Sequence, residues 1–224
     1  MGRSFSDFGN RRIQFDTLTI CLNHSHKRMS KPVHQVIMPD TVKVQSDQEL
    51  LDAFMDESSR EMAFTSIVKK YQERLYWHIR RLLVSHDDSN DVLQNVFLKA
   101  WRGLSGFRRE SELYTWLYRI ATNECMTFLA ARKKRYARSL SDEGYGLSQM
   151  IKADRGYDFS KVEWKIQLAI QTLPERQRAV FTLRYYDEMP YEKMSEVLET
   201  SVGSLKASYH HAVKKIEAFV LKEN

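Results

Sequence analysis

Three groups of residues combine types and spacings that could do chemistry. Residues Pro190 to Tyr209 read Pro-Tyr-Glu-Lys-Met-Ser-Glu-Val-Leu-Glu-Thr-Ser-Val-Gly-Ser-Leu-Lys-Ala-Ser-Tyr. Two short amphipathic runs flank Glu199-Thr200-Ser201, the layout of a helix-turn-helix whose second helix enters a major groove. Met194, Val197 and Leu198 would pack the first helix, and Val202, Leu205 and Val213 the second. Ser204, Lys206, Ser208, Tyr209 and His210 would then face outward, short polar groups with one cation, as base and phosphate contacts require. An ordinary α-hairpin shows the same spacing, and spacing alone does not separate the two. The second group is Tyr114, Trp116 and Tyr118 followed by Arg132-Lys133-Lys134-Arg135, with Arg138 just beyond. Rings beside a cationic strip suit a single nucleic-acid strand, because every base offers a π face. The plainer reading places Trp116 in a core and leaves the basic run as a solvated helix end, and for Trp116 the core is favoured. The third group, Cys21, His24 and His26, has metal-ligand types but no fourth ligand in view. With no nucleophile–base pair and no phosphate-binding glycine loop, neither catalysis nor a cofactor nor a metal is expected.

These groups must be positioned by a chain of 224 residues, 42% hydrophobic and 29% charged. That is ordinary for a soluble folded protein and sufficient for one medium or two small domains. Lys and Arg number 35 against 29 Asp and Glu, giving a pI near 9.2, a mild excess that suits a polyanionic partner without demanding one. Two cysteines, Cys21 and Cys125, form no CxxC pair, which fits a reducing compartment. No apolar run reaches the roughly 18 residues of a membrane span and no signal peptide is evident, so a cytoplasmic protein is expected.

The expected fold is all-α. Residues 1–45 lack a sustained period and carry Pro32 and Pro39, so a flexible arm is expected, with Met29 or Met38 as alternative starts. Ser46 and Glu49 form a capping box for a short helix through Phe54. Phe64, Ile67, Val68, Tyr71, Leu75, Ile79, Leu82 and Leu83 recur at spacings of three and four, predicting a second helix. Asp87 to Asn90 supply caps for a third, striped by Val92, Leu93, Val96, Phe97, Ala100, Trp101 and Leu104 and broken by Gly103 and Gly106. Ser111-Glu112 opens a fourth, with Leu113, Trp116, Leu117, Ile120 and Ala121 on its buried face. Residues 139–161 read as a Ser, Gly and Asp-rich linker. Helices ending at Pro174, running from Glu175 to Tyr186, from Tyr191 to Leu198 and from Val202 to about Lys222 follow. The expectation is two helical domains, 46–138 and 162–224.

Phe107-Arg108-Arg109-Glu110-Ser111-Glu112-Leu113-Tyr114-Thr115-Trp116-Leu117-Tyr118-Arg119-Ile120-Ala121-Thr122-Asn123 strongly resembles the second conserved region of the extracytoplasmic-function sigma factors of bacterial RNA polymerase. Asp88 to Trp101 resembles that family's polymerase-binding helix. Leu173-Pro174-Glu175-Arg176-Gln177-Arg178, with Ser201-Val202-Gly203-Ser204-Leu205-Lys206, is similar to its fourth region. The three stretches stand in the family's order and cover about residues 46–135 and 162–222.

The resemblance implies a promoter-specific initiation factor with no enzymatic activity of its own. It implies that Asp88, Asp91, Gln94, Asn95, Phe97 and Trp101 meet the clamp helices of the polymerase's largest subunit. Phe107, Arg108, Ser111, Tyr114, Tyr118 and Asn123 would hold the minus-ten element, with loop 105–111 and Asn123 taking an unstacked base, and Arg132, Lys133, Lys134 and Arg135 its phosphates. Ser201, Ser204, Lys206, Ser208, Tyr209, His210 and Lys214 would read the minus-thirty-five element. The partners implied are core polymerase and promoter DNA, double- and single-stranded; an anti-sigma factor is common in the family, though no residue here demonstrates one. Departures are Asn95 in place of an acidic residue, Arg109 in place of glycine, and His210-His211 in place of a pair ending in arginine. A stand-alone helix-turn-helix regulator would leave residues 46–135 unaccounted for, and a protein-binding scaffold would leave the two basic surfaces unexplained.

Overall fold

A computed structural model describes residues 45–136 and 161–222; apart from Gln45 and Lys161 at their ends, the arm and the linker lie outside the described residues, as do Cys21, His24 and His26. Among the described residues there are eight α-helices and no strand. Helix α1 spans Asp47–Met55. Its capping box forms as expected: the Glu49 N–H donates to Ser46 Oγ at 3.2 Å, and the Ser46 N–H donates to Glu49 Oε2 at 2.7 Å. Helix α2, Arg60–Leu83, buries Ala63, Ile67, Tyr71, Leu75, Ile79 and Leu82 along one stripe.

Helix α3 runs His86–Gly103 and starts before the expected Asp87–Asn90 caps. Ser85 is the cap, accepting the Asp88 N–H at 3.2 Å, and Asp87 and Asp88 complement the first-turn dipole instead. A single 3-10 turn, Leu104–Gly106, leads into a loop and then α4, Leu113–Tyr136. The start expected at Ser111-Glu112 lies at Glu112, whose carbonyl accepts the Trp116 N–H at 3.1 Å. Phe54, Phe64, Phe97 and Trp101 interlock α1, α2 and α3, with Phe64 and Trp101 centroids 5.0 Å apart and Phe54 and Trp101 5.4 Å apart, both edge-on. Each such pair adds about 0.5–1.5 kcal/mol beyond area burial.

The second group comprises α5 (Lys161–Gln171), α6 (Glu175–Tyr185), α7 (Tyr191–Leu198) and α8 (Val202–Lys222). Pro174 precedes α6, where its missing N–H and fixed φ do no harm. Ile166, Ala169, Ile170, Leu173, Phe181, Tyr186, Ala212 and Ile216 form a core private to this group. A second, larger core crosses between the groups, joining Leu82, Leu83, Leu117 and Tyr118 to Ala179, Val180, Leu183, Met194, Val197 and Leu205. The two helical domains therefore pack face to face, with α7 laid along α4.

Candidate nucleic-acid interface

The helix-turn-helix is built by α7 and α8. Glu199 takes a left-handed φ of 49° between them, and the Thr200 hydroxyl donates to the Leu198 carbonyl at 2.9 Å. Met194, Val197 and Leu205 are buried as expected, while Leu198, Val202 and Val213 are half-buried. Ser201 serves the helix itself, its Oγ accepting the Ser204 N–H at 3.3 Å. Ser204, Lys206, His210 and Lys214 are exposed along α8. Tyr209 is turned inward: its ring stacks on Phe181 at 5.8 Å and 14°, and burial raises its phenol pKa. Ser208 is half-buried, and Lys206 lies over the Tyr191 ring at 5.7 Å.

The α3–α4 region carries the remaining expected residues. Asp91, Gln94 and Asn95 are exposed on α3, on the face opposite Val92, Val96 and Ala100. Phe97 is only partly exposed because it packs on Phe64. Sequence reasoning passed over Leu98, which falls outside the buried stripe and is 53% exposed beside Trp101 at 37%. Its signal was an apolar residue out of phase with the helix period. Asp88 faces Arg132 at 4.0 Å, so a residue expected to meet protein and one expected to meet phosphate lie together. Lys133, Lys134 and Arg135 are exposed.

The loop before α4 holds Arg109 at φ 61°, a conformation that glycine adopts at no steric cost. Its guanidinium pairs with Asp52 at 2.6 Å, which ties the loop to α1. Phe107 lies against Trp116 at 5.1 Å, and both are half-buried. Arg108 and Asn123 are exposed, and Ser111 is half-buried.

The two tyrosines do not stand free as a stacking platform. Tyr114 is half-buried and Tyr118 is 2% exposed, their centroids 4.4 Å apart. Burial, then the nearby Asp187 carboxylate, pushes the Tyr114 phenol up to about 12 and raises Tyr118 as well. In this arrangement Tyr118 cannot touch a base.

Sigma-70 region 2 matches residues 67–135, and sigma-70 region 4 matches residues 163–216. The chain is 31% identical over 181 residues to the RNA polymerase sigma-H factor of Pseudomonas aeruginosa, covering 77% of this chain and 93% of that protein. The chain belongs to the extracytoplasmic-function sigma factors. A second member, the ECF RNA polymerase sigma-E factor of Haemophilus influenzae, is 31% identical over 180 residues, covering 77% of this chain and 94% of its own. The fold matches the sigma factor RpoE from Bartonella quintana, solved in complex with the anti-sigma factor NepR, at a TM-score of 0.56 and 18% identity, covering 72% of this chain and 98% of that one. As a sigma factor, the protein is a non-enzymatic initiation subunit that gives RNA polymerase its promoter specificity. No described helix is long and apolar enough to cross a membrane.

Proposed function

We propose that this sigma factor docks on core polymerase through the outward stripe of α3, formed by Asp91, Gln94, Asn95, Leu98 and Trp101. The observation that carries the reading is this stripe itself, in which Leu98 stays in water and Trp101, though packed on Phe54 and Phe64, remains 37% exposed among polar neighbours. Asp88 flanks the stripe, and Phe97 supports it from below. The Arg109 loop with Phe107, Arg108, Ser111 and Asn123 would receive a flipped minus-ten base, and Lys133, Lys134 and Arg135 its phosphates, joined by Arg132. Tyr114 and Tyr118 would join only after the two domains separate. Ser204, Lys206, His210 and Lys214 would contact the minus-thirty-five element, with Ser201, Ser208 and Tyr209 setting the helix in place. The domain limits 46–138 and 162–224 are proposed on the same basis, and so is a cytoplasmic site of action alongside the polymerase. An anti-sigma partner is proposed by analogy with the RpoE complex.

The test is co-purification with core polymerase. Because Phe97 packs in the interior, the informative variant is Asp91→Arg with Gln94→Ala, both exposed. Loss of co-purification with an unchanged thermal midpoint is expected. Normal binding by the folded double variant would remove α3 from the docking surface.

A further inference from the structure

Helix α2 ends abruptly at Val84, whose φ of 70° stops the helix without a glycine. The last carbonyls of a helix have no partner within it, and a buried one must find a donor elsewhere. Val84 satisfies the Arg80 carbonyl at 2.9 Å. The next two are satisfied by the other domain: Gln171 Nε2 donates to the Arg81 carbonyl at 3.1 Å, and Arg178 Nη1 to the Leu82 carbonyl at 3.1 Å. Arg178 also donates to Gln171 Oε1 at 2.7 Å and to the Gln171 and Leu173 carbonyls at 2.9 and 3.3 Å. A cation at this helix end also complements its dipole.

A second contact lies one turn away. Asp187, in the turn between α6 and α7, enters the first domain and is 4% exposed in its side chain. One carboxylate oxygen meets His78 Nδ1 at 2.7 Å, and the other accepts from Arg81 Nη1 at 3.2 Å. His78 is wholly buried and reaches Thr122 Oγ1 at 3.0 Å through its other ring nitrogen. The turn is braced for the purpose: the Asp187 N–H donates to the Thr182 carbonyl, the Met189 N–H to the Leu183 carbonyl, and Arg184 Nη1 to the Met189 carbonyl. At the rim, Arg119 pairs with Glu199, and Lys193 with Glu112 at 3.2 Å.

We infer that Asp187, seated between His78 and Arg81, together with Arg178 on the end of α2, forms a latch that holds the free sigma factor closed. The closed form covers Tyr118, half-covers Tyr114 and lays α7 along α4. The latch stands on geometry alone. Its effect on DNA binding rests on the minus-ten role proposed above, so the test measures the two separately.

Spin labels at Ala130→Cys on α4 and Ala218→Cys on α8, both exposed, report the distance between domains in the full free chain. Cys21 is replaced by serine; Cys125 is buried, and burial raises its thiol pKa, so it stays unlabelled. The unsubstituted latch should give one short, narrow distance distribution. Asp187→Lys should raise the open-to-closed ratio by on the order of a hundredfold, because it leaves an unpaired charge at a buried site. Should that variant fail to fold by circular dichroism, the exposed rim pair decides. Arg119→Glu should raise the ratio by up to about fivefold at low salt, and adding Glu199→Arg should reverse it. A broad distribution in the parent, or an unchanged distance in folded Asp187→Lys, overturns the latch. So does an unchanged distance in Arg119→Glu where only the rim pair can be read. Binding of a fluorescent single-stranded minus-ten oligonucleotide is then measured on the opened variant. Tighter binding is expected, whereas opening without it would leave the latch standing and remove the tyrosines from the DNA surface.

Discussion

Phe181 decides whether α8 is presented to DNA at all. Its side chain is fully buried in the core private to the second domain. It stacks on Tyr185 at 5.2 Å and 18° and on Tyr209 at 5.8 Å and 14°, and meets Tyr186 edge-on at 6.2 Å. Through Tyr209 it fixes the roll of α8 about its axis, and with it the direction of Ser204, Lys206 and His210. Truncating such a residue to alanine costs about 3–5 kcal/mol. A domain of roughly 60 residues has only about 3–9 kcal/mol in total. Phe181→Ala should therefore remove about a third or more of the second domain's stability. Phe181→Leu keeps most of the volume, at about 1.5 kcal/mol or less for the swap. It also loses the ring pairs, about 0.5–1.5 kcal/mol each where α8 cannot repack. That variant should fold, yet bind minus-thirty-five duplex more weakly because Tyr209 has lost its platform. Urea unfolding followed by near-ultraviolet circular dichroism reads the first effect, and duplex binding by anisotropy the second. A loss below about 1 kcal/mol in Phe181→Ala would refute the claim that this ring organises the domain.

Alkali should destabilise the fold. Burial is the leading cause that raises the phenols of Tyr71, Tyr114, Tyr118, Tyr185 and Tyr209 above their ordinary range. The unfolded chain loses these protons near pH 10, so their stabilisation is complete below about pH 10 and is lost as pH rises toward the folded values. Arg178 opposes this: burial, then Arg132, lowers it to about 10. As one group against five, it should not reverse the trend, and a urea midpoint at about pH 11 no lower than at about pH 8 would contradict the balance. Lys206→Ala should weaken duplex binding and reduce the salt slope by about one, with only a small fall in melting temperature, because the exposed side chain gives up no more than its contact with the Tyr191 ring. An unaltered slope would take Lys206 off the phosphates.

Much of this fold was legible because helices leave a period. The stripes of Ile67, Leu75 and Ile79, of Val92, Val96 and Ala100, and of Met194, Val197 and Leu205 are all buried where their spacing puts them. Helix starts were less legible, since Ser85 and Asp87 are both good cap residues and only the chain's path selects between them. Exposed candidates such as Asp91, Lys206 and Asn123 could be named from residue type. Tyr118 could not be placed, because it lies in the core that crosses between the domains, whose second-domain members stand about sixty or more positions later in the chain. The same holds for His78 and Arg178, whose partners lie on the opposite domain. A buried histidine reads locally as one more polar residue on an amphipathic helix.

The central claim, that this chain gives core polymerase a promoter, is tested most directly by reconstituted run-off transcription. Purified core polymerase is supplied with a pool of genomic fragments, with and without the chain, and transcript starts are mapped. Discrete starts that require the chain are expected, preceded by one shared pair of upstream elements. Those starts should disappear with Asp91→Arg and Gln94→Ala. Starts that do not depend on the chain, or specific duplex binding by the chain with no transcription from the bound sites, would contradict it.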